Sequence, residues 1–351
     1  MKTEYCTLTG ETTDEKIIRR AAEIIRAGGL VAFPTETVYG LGASALNEKA
    51  AEKIYMAKGR PSDNPLIAHV AYPQEAERIA FVPPVFYRLA QRFMPGPLTV
   101  IMPKREIVPD GVTGGLDSVA VRCPSHPVAH RLIREAGVPI AAPSANRSGA
   151  PSPTTAAHVL HDMDGRIDMI LDGGACEIGV ESTVIRLTDN GCEILRPGAV
   201  TEEMLAAVCK TVTVAGAVTQ PALAGDKPLS PGMKYKHYAP RAEVILVDAA
   251  TPEDFAAYVR AHAAVGTAVI ASEEHVSLFA GIPVLLFGKT DNAEEESHSI
   301  FALLREADDR ALERLYVRLP PAKGEYLALY NRLIRAAAGR IVGATPTPNG
   351  D

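Results

Sequence analysis

The stretch LVAFPTETVYGLG, residues 30–42, joins the pattern of a buried strand to a polar turn. Its first four residues, LVAF, are apolar and follow a glycine pair, which predicts a buried β-strand that ends at Phe33. Burial favours further apolar residues, but the chain continues with Glu36 between the hydroxyls of Thr35 and Thr37. Binding and catalytic side chains occur disproportionately in loops that a rigid scaffold positions. The stretch therefore predicts a core strand that ends in a candidate ligand pocket.

Helical and strand patterns mix on both sides of this strand. The preceding segment carries a Thr12–Glu15 capping box and an apolar stripe, and it ends at the glycine pair, as an amphipathic helix does. A second helix is predicted after Asn47 as N-cap. Strands are further predicted at 66–70, 98–102, 119–122, 140–142, 169–171 and 183–187, and helices at 84–93, 126–136, 154–162 and 201–209. Because the two types do not alternate strictly, residues 1–210 are predicted to form one large α/β domain with a mixed sheet.

The last third of the chain has a different organisation. Residues 211–241 are rich in Ala, Gly, Pro and Thr without a helical stripe, which predicts a linker. Beyond it, strands at 243–247, 267–271, 283–287 and 314–319 alternate with helices at 252–263, 292–307 and 324–338. Alternation of this kind predicts a small, parallel, doubly wound domain. No G-x-G-x-x-G follows its first strand, so a dinucleotide site has no support.

Composition excludes several classes of protein. The chain has 351 residues, of which 47% are hydrophobic and 22% charged, as in an ordinary globular protein. Its net charge of −6 gives no general attraction to nucleic acid or to an anionic membrane. No apolar run is long enough to span a membrane, and the first residues lack an apolar export signal. The five cysteines are scattered without a C-x-x-C pair, which predicts a cytoplasmic protein without a disulfide framework.

The loop KGRPSDNPLIAHV, residues 58–70, carries the first set of phosphate-type groups. Lys58 and Arg60 stand two residues apart in a Gly/Pro loop, and Ser62 and Asn64 follow them. Two cations beside hydroxyl and amide donors match the needs of a polyphosphate. The alternative is a solvated basic loop.

A second set lies in APSANRSGAPSPT, residues 142–154, which follows an apolar strand. Ser144, Asn146, Ser148 and Ser152 fall in a window where glycine and prolines suppress helix formation. Small hydroxyls and exposed backbone N–H groups can wrap a phosphate, although no P-loop motif is present. An ordinary Ser/Pro turn is the alternative.

Three further motifs carry charged or hydroxyl side chains at strand ends. Ser118 and Arg122 share one face of an apolar strand, and a buried arginine requires either a core acid or a bound anion. The motif GVESTVI, residues 179–185, places Ser182 at the start of a strand, and LRPG places Arg196 at the end of another.

Histidines and the linker complete the candidates. Residues 234–238, KYKHY, form a dense cationic and aromatic string that can close over a nucleotide, or can serve as a simple tether. The pairs His126/His130 and His158/His161 have helical spacing without further ligand types, so no metal site is predicted.

In their order, these motifs resemble the Sua5/YrdC family in its long form. The resemblance rests on PTETVYGLG, KGRPSDNPLIAHV, PGPLTV, VAVRCPSHP, APSANRSGAPSPT, GVESTVI, LRPG and SPGMKYKHYAP, and in the C-terminal part on the domain arrangement. It implies a large YrdC-like mixed α/β domain over residues 1–210, a linker or lid over 211–241, and a small doubly wound Rossmann-like C-terminal domain over 242–351.

The resemblance also implies an activity. The family's nucleotidyltransferases join L-threonine, bicarbonate and ATP into threonylcarbamoyl-adenylate and release pyrophosphate, with Mg²⁺ accompanying the phosphates. The product is used by the machinery that threonylcarbamoylates adenosine 37 of tRNAs. Contact between this chain and tRNA is possible in this scheme but is not required. Expected around L-threonine are Thr35, His69, Arg122, the Ala142 backbone and Ser182. Expected around ATP are Lys58, Ser62, Ser118, Ser144, Asn146, Ser152, Arg196, Lys234, Tyr235, Lys236, His237 and Tyr238, with Lys58, Arg60 and Arg196 as the catalytic charges.

The polar strand end now has a physical interpretation. Thr35 and the Ser182 region supply acceptors for the hydroxyl and ammonium of an amino acid, and Arg122 supplies a clamp for its carboxylate. Gly40 and Gly42 are expected to let the backbone turn close to the ligand. Glu36 is interpreted as a structural acid that binds backbone N–H groups, rather than as a catalytic base. An RNA-binding module and a carbamoyl-adenylate-forming enzyme are the alternative functions; the acidic net charge and the lack of C-x-x-C pairs count against them.

Overall fold

The computed structural model describes residues 2–10, 13–219 and 238–344. These residues form two compact units. The first comprises the described residues up to 148 together with 152–218, and the second comprises 149–151, 219 and 238–344.

The helices of the first unit are α1 (Thr13–Arg26), α2 (Glu48–Lys58), α3 (Pro84–Phe93), α4 (Asp110–Thr113), α5 (Pro127–Ala136), α6 (Ala156–Met163) and α7 (Glu202–Ala206). Its strands are β1 (Glu4–Thr7), β2 (Val31–Phe33), β3 (Gly40–Ser44), β4 (Ile67–His69), β5 (Leu98–Pro103), β6 (Ser118–Arg122), β7 (Ile140–Ala141), β8 (Met169–Asp172), β9 (Thr183–Thr188), β10 (Gly191–Arg196) and β11 (Thr211–Val214).

The helices of the second unit are α8 (Pro252–His262), α9 (Ala293–Asp309) and α10 (Leu327–Ala336). Its strands are β12 (Glu243–Asp248), β13 (Thr267–Ala271), β14 (Val284–Leu286), β15 (Arg314–Arg318) and β16 (Ile341–Gly343). Short 3₁₀ helices lie at Pro73–Arg78, Gly216–Val218, Glu273–Phe279 and Gly324–Tyr326.

One sheet of 11 strands organises the first unit, in the order β1-β8-β2-β3-β7-β4-β6-β5-β9-β10-β11. Parallel and antiparallel pairs mix in it: β4 runs parallel to β6, whereas β5 and β6 are antiparallel. Both of its faces are covered. Val31 and Phe33 of β2 pack with residues of α1 and α5, and Ala32 between them packs with residues of α2 and α3 on the other face. The predicted mixed α/β domain is confirmed.

The glycines after the polar turn do something other than predicted. Gly40 and Gly42 were expected to turn the backbone near a ligand, but they lie in β3, antiparallel to β2. A Cβ at position 42 would stand 2.7 Å from the Phe33 ring and 2.8 Å from Ile140. Gly42 is therefore needed because neighbouring side chains approach the strand closely, and the prediction of a turn there is wrong.

The segment predicted as a linker begins with a strand. Thr211–Val214 forms β11, which pairs in parallel with β10 and extends the large sheet. Alternation of Thr and Val over four residues has the period of a strand, and its Val residues pack beside the main core. Residues 220–237 of the predicted linker lie outside the described residues.

The second unit has a sheet of five strands in the order β14-β13-β15-β12-β16, and every pair in it is parallel. Ile245 and Val247 of β12 pack in one cluster with Phe255 and Val259 of α8. Helix α10 also contacts β12, and α9 contacts α10. The predicted doubly wound C-terminal domain is confirmed. Among the helices that the structure describes, none combines the length and apolar character needed to cross a membrane.

Candidate functional site

Three polar residues form one row across the centre of the large sheet. His69 on β4 and Arg122 on β6 are direct neighbours in register, and Thr99 on β5 is the partner of Arg122 on the other side. All three are buried, with 3%, 4% and 0% of their surfaces exposed. The structure thus brings together two of the predicted threonine ligands and adds Thr99, which the sequence interpretation missed because an isolated threonine in an apolar strand carries no signal.

The polar turn after β2 is held by its own hydroxyls. The Thr35 hydroxyl donates to the backbone oxygen of Val38 at 2.6 Å, and it lies 2.9 Å from the Thr37 hydroxyl. The backbone N–H groups of Thr37 and Val38 donate to Thr35 Oγ1, each at 3.2 Å. Thr35 is therefore fully used in fixing the turn, which explains why two threonines are needed where a core strand ends.

Arg122 is the cation that faces this turn. Its Nη2 donates to Glu36 Oε1 at 2.7 Å and to the Thr37 hydroxyl at 2.9 Å. Glu36 Oε2 accepts the backbone N–H of Ser125 at 3.1 Å, as a structural acid would. Burial raises the pKa of Glu36, but the charge of Arg122 and these hydrogen bonds outweigh burial and leave the pKa below its usual range.

The same guanidinium keeps one donor for another group. Arg122 Nε is buried and has no hydrogen-bond partner among the described residues. A buried donor without a partner is costly, on the order of 1–3 kcal/mol. The residues around Arg122 therefore fit a ligand that brings an anionic or carbonyl oxygen.

His69 beside Arg122 offers an acceptor. Its Nδ1 lies 3.0 Å from the backbone oxygen of Ile67 and 3.3 Å from that of Ile140. Because carbonyl oxygens only accept, Nδ1 carries the hydrogen and Nε2 is left as an acceptor. Burial and the charge of Arg122 lower the pKa of His69 to about 3, so the ring is neutral at physiological pH. A neutral Nε2 suits a ligand's hydroxyl or ammonium group.

Ser182 and Arg196 lie next to this row. Ser182 Oγ is 2.8 Å from the hydroxyl of Thr99, and Arg196 Nη2 donates to the same oxygen at 3.1 Å. Arg196 Nε donates to the Ser182 backbone oxygen at 3.1 Å. A Cβ at Gly198 would lie 2.5 Å from the backbone nitrogen of Thr183, so glycine in LRPG allows the two motifs to meet.

Lys58 joins the two motifs that were predicted to bind phosphates. The sequence interpretation placed it in the Gly/Pro loop, and this is wrong: Lys58 is the last residue of α2, which Gly59 terminates in a left-handed conformation. Its ammonium donates to the backbone oxygen of Ser144 at 2.5 Å and to that of Asn146 at 2.6 Å. The Asn146 side-chain oxygen lies at 3.3 Å. A buried cation thus anchors the 142–154 loop.

The remaining predicted residues of this unit differ in their surroundings. Ser152 donates to Glu181 at 2.5 Å, which links the second and third motifs. Arg60 donates to the backbone oxygens of Asn64 and Pro65 in its own loop, at 3.1 and 3.2 Å. Ala142 donates its backbone N–H to the backbone oxygen of Ile67. Of the two remaining serines, Ser62 is exposed in the α2–β4 loop and Ser118 is half-buried at the start of β6.

Asn64 was predicted as an amide donor of the phosphate-type loop but was not assigned to ATP or to threonine. It is 0% exposed, yet neither its side-chain oxygen nor its side-chain nitrogen has a partner among the described residues. Its only sequence signal was its place in the KGRPSDNPL motif, directly before a proline and an apolar strand.

Of the predicted ATP ligands at positions 234–238, the structure describes Tyr238 alone. Lys234, Tyr235, Lys236 and His237 lie outside the described residues. Tyr238 belongs to the second unit, where its buried ring stands 5.1 Å from that of Phe301 and 5.6 Å from the Arg332 guanidinium.

The histidine pairs have local structural partners. His126 accepts the backbone N–H of Val128 as N-cap of α5, and His158 accepts that of Thr154. Over the ranges that the structure describes, no three His, Cys, Asp or Glu side chains are grouped so as to hold a metal ion.

Comparison with known proteins covers both units. The family model Sua5_yciO_yrdC, described as "Telomere recombination", matches residues 23–198. The model described as "Threonylcarbamoyl-AMP synthase, C-terminal domain" matches residues 200–338.

Several relatives match over almost their whole length. Threonylcarbamoyl-AMP synthase of Bacillus subtilis is 43% identical over 97% of this chain and 100% of its own length. The enzyme of the same name from Pyrococcus abyssi is 44% identical over 95% of this chain and 97% of its own. A crystal structure of P. abyssi Sua5 complexed with L-threonine superposes with a TM-score of 0.87 at 43% identity, covering 98% of this chain and 99% of that one.

Proposed function

This chain belongs to the Sua5/YrdC family, and on that premise we propose that it is a threonylcarbamoyl-AMP synthase. It joins L-threonine, bicarbonate and ATP into threonylcarbamoyl-adenylate and releases pyrophosphate, which makes it a nucleotidyltransferase. The single observation that carries the proposal is the buried row of His69, Arg122 and Thr99 beside the Thr35–Glu36–Thr37 turn.

The row accounts for the recognition of an amino acid. The unpaired Arg122 Nε is a donor for the carboxylate, and the neutral His69 Nε2 is an acceptor for the hydroxyl or ammonium group. The relative from P. abyssi, whose structure contains L-threonine, shares this fold at 43% identity. Thr35 acts by shaping the turn, since its hydroxyl is already bonded to Val38. Ser182 closes the opposite side through Thr99.

The proposed reaction is catalysed by positioning of the substrates and needs no covalent intermediate with the protein. The threonine amine attacks the carbon of CO₂ and loses a proton, or attacks that of bicarbonate with loss of water. The resulting N-carboxylate then attacks the α-phosphorus of ATP, and the bond to pyrophosphate breaks as pyrophosphate leaves. Positive charge beside the phosphates stabilises the transition state. We assign this charge to Lys58 and Arg196, with Arg60 as a further candidate. Ser62, Ser118, Ser144, Asn146, Ser152 and the 234–238 string are the proposed nucleotide ligands.

Other parts of the assignment rest on this activity. Mg²⁺ is proposed to arrive with the phosphates of ATP, as part of the substrate. The unstable adenylate passes to a tRNA threonylcarbamoyl-transferase system, and we place the reaction in the cytoplasm. The five cysteines are all free thiols, in keeping with a reducing compartment.

One assay tests the function. Full-length protein is incubated with radiolabelled bicarbonate, L-threonine, ATP and Mg²⁺, and a labelled adenylate is sought together with pyrophosphate release. Omission of threonine is the control and must abolish the labelled product. Labelled adenylate that forms equally well without threonine, or pyrophosphate release without any labelled product, contradicts the proposal.

A further inference from the structure

The C-terminal domain contains a cavity of about 520 Å³ that the proposed reaction does not use. Residues at or just beyond the carboxyl ends of its parallel strands line it: Asp248 of β12, Ser272 after β13, Phe287 after β14 and Arg318 of β15. In open parallel sheets, ligands bind in the crevice outside these strand ends. The volume also lies in the range of small-molecule sites, roughly 300–1,000 Å³.

Glu296 is the most deeply buried of the three carboxyl-bearing residues that line this cavity. It lies in the first turn of α9 and lines the cavity, and only 9% of its surface is exposed. Within residues 238–344 and the rest of the described chain, its carboxyl group accepts no hydrogen bond. Burial and the nearby carboxylate of Asp291 raise its pKa to about 7, against the opposing charge of Arg318. A carboxyl group that lines a cavity and has no hydrogen-bonding partner among the described residues marks a place for a complementary group.

The charges around Glu296 select the sign of that group. Asp248 and Asp291, both exposed, line the same cavity, and the basic side chains that accompany them are those of Arg318 and His275. The Arg318 guanidinium is directed to the backbone, donating to Ala249 at 3.2 Å and to Ala250 at 2.9 Å. Three carboxyl groups outnumber the two basic side chains, one of which is already bonded to the backbone, and this excess disfavours a phosphate or carboxylate and favours a cation.

The side chains that line the cavity favour an organic cation over a metal ion. The carboxyl groups here do not form one of the three-ligand groupings that hold a metal, a grouping not found anywhere in the described chain. Aromatic side chains make up much of the remaining lining: Phe255, Phe279, Phe287, Tyr326 and Tyr330. Aromatic faces attract organic cations and pack against their apolar parts.

We propose that this cavity binds a small organic cation, an aliphatic or aromatic amine whose nitrogen lies against Glu296 and Asp291 and whose apolar body packs on the aromatic walls. All the residues that line this cavity belong to the second unit, and the proposal does not depend on the proposed synthase activity.

Calorimetric titration of the full chain tests this site, at about pH 8 and without ATP or threonine. The probes are tyramine and 3-methylbutylamine, and 4-hydroxyphenylacetate is the anionic counterpart of tyramine. We expect saturable binding of at least one amine, at one per chain, and none of the anion. Glu296→Gln is expected to weaken amine binding at least tenfold. Glu294→Gln, an exposed position on the same helix, is the matched control and is expected to change nothing.

Asp291→Asn gives a second reading if the first variant folds poorly. Asp291 has a φ of 58°, a conformation that asparagine tolerates well. Loss of amine affinity in either variant supports the site. The proposal is overturned if neither amine saturates, if 4-hydroxyphenylacetate binds as well as tyramine, or if both variants bind like the wild type. The full chain is also titrated with MgCl₂ alone. If Mg²⁺ binds and this binding is lost in Glu296→Gln, the ligand of the cavity is a metal ion and the amine proposal is overturned.

Discussion

Each unit buries a carboxyl group near an arginine, and the two groups behave in opposite ways. Glu36 is 4% exposed and bonds Arg122 at 2.7 Å, and its pKa lies below the usual range. Glu296 is 9% exposed and lies near Arg318, yet its pKa is raised to about 7. The difference is in where the arginine points, because Arg318 donates to backbone oxygens. Burial alone pushes both pKa values up, and only a direct charge-assisted hydrogen bond reverses the shift.

Breaking the paired carboxylate should give the largest effect. Arg122→Met leaves Glu36 buried without its cation, and we expect a loss of about 3–5 kcal/mol in the free energy of unfolding. Threonine binding should be lost as well. Urea denaturation followed by calorimetry with L-threonine measures both.

The matched control for this variant lies in the same sheet. Arg186 of β9 pairs with Glu193 at 2.6 Å, but the arginine side chain is 46% exposed. Arg186→Met should therefore cost about 1 kcal/mol or less. Equal losses in the two variants would show that burial of the Arg122 pair has no special consequence.

The pH dependence of stability tests the environment of His69, which lies beside the Arg122–Glu36 pair. Its pKa in the folded protein is about 3, below the value of about 6.5 in the unfolded chain. As pH falls below about 6.5, the unfolded state takes up the proton first, so the free energy of unfolding decreases. We expect this residue to contribute up to about 1.4 kcal/mol per pH unit between pH 6 and pH 4.

Denaturation of His69→Gln across this range should show a flatter pH dependence than that of the wild type. The exposed His161 supplies the comparison, and His161→Gln should follow the wild-type curve. A slope that is unchanged in His69→Gln would mean that the histidine has the same pKa in the folded and unfolded states.

The unpaired carboxyl group should respond with the opposite sign. The pKa of Glu296 is higher in the folded than in the unfolded protein, so its favourable contribution exists at low pH and is lost as pH rises through about 4.5 to 7. Replacing it by Gln should raise the free energy of unfolding at about pH 8 relative to about pH 4.5, by about 2 kcal/mol.

This gain is measured by urea denaturation at the two pH values, with Glu294→Gln as the exposed control. A destabilised Glu296→Gln at the higher pH would show that the carboxylate has a favourable partner, and it would remove the contrast with Glu36.

The smallest expected effect concerns the hydrogen bond between Arg122 and Thr37, beside the Arg122–Glu36 pair. Thr37→Val removes the hydroxyl that accepts from Arg122 at 2.9 Å while keeping the side chain's shape. A hydrogen bond to a charged group contributes about 1.5 kcal/mol, and this is the expected loss of stability. Thr37→Ser keeps the hydroxyl and should lose less; the reverse order would mean that the methyl group matters more than the bond.

Much of the fold could be predicted because it rests on local patterns. Apolar stripes, capping residues and β-rich runs gave the predicted helices at 84–93 and 126–136 and the alternating elements of the C-terminal domain, in agreement with the structure. The miss at β3 has a physical cause. Glycines in a motif resemble a turn, whereas Gly42 is required by the packing of Phe33 and Ile140 around it, which no local pattern encodes.

The sequence by itself determined which residues are available for chemistry: a strand that ends in Thr-Glu-Thr, a buried arginine that requires a partner, and two loops rich in hydroxyls. It left open whether that partner was an acid or an anion. Tertiary structure decided that Glu36 bonds to Arg122 Nη2, that Arg122 Nε has no partner within the described part of the chain, and that His69 is neutral. It also decided that no described residue donates a hydrogen bond to the carboxyl group of Glu296. Side-chain charge and pairing depend on distances between residues far apart in the chain, and only folding sets those distances.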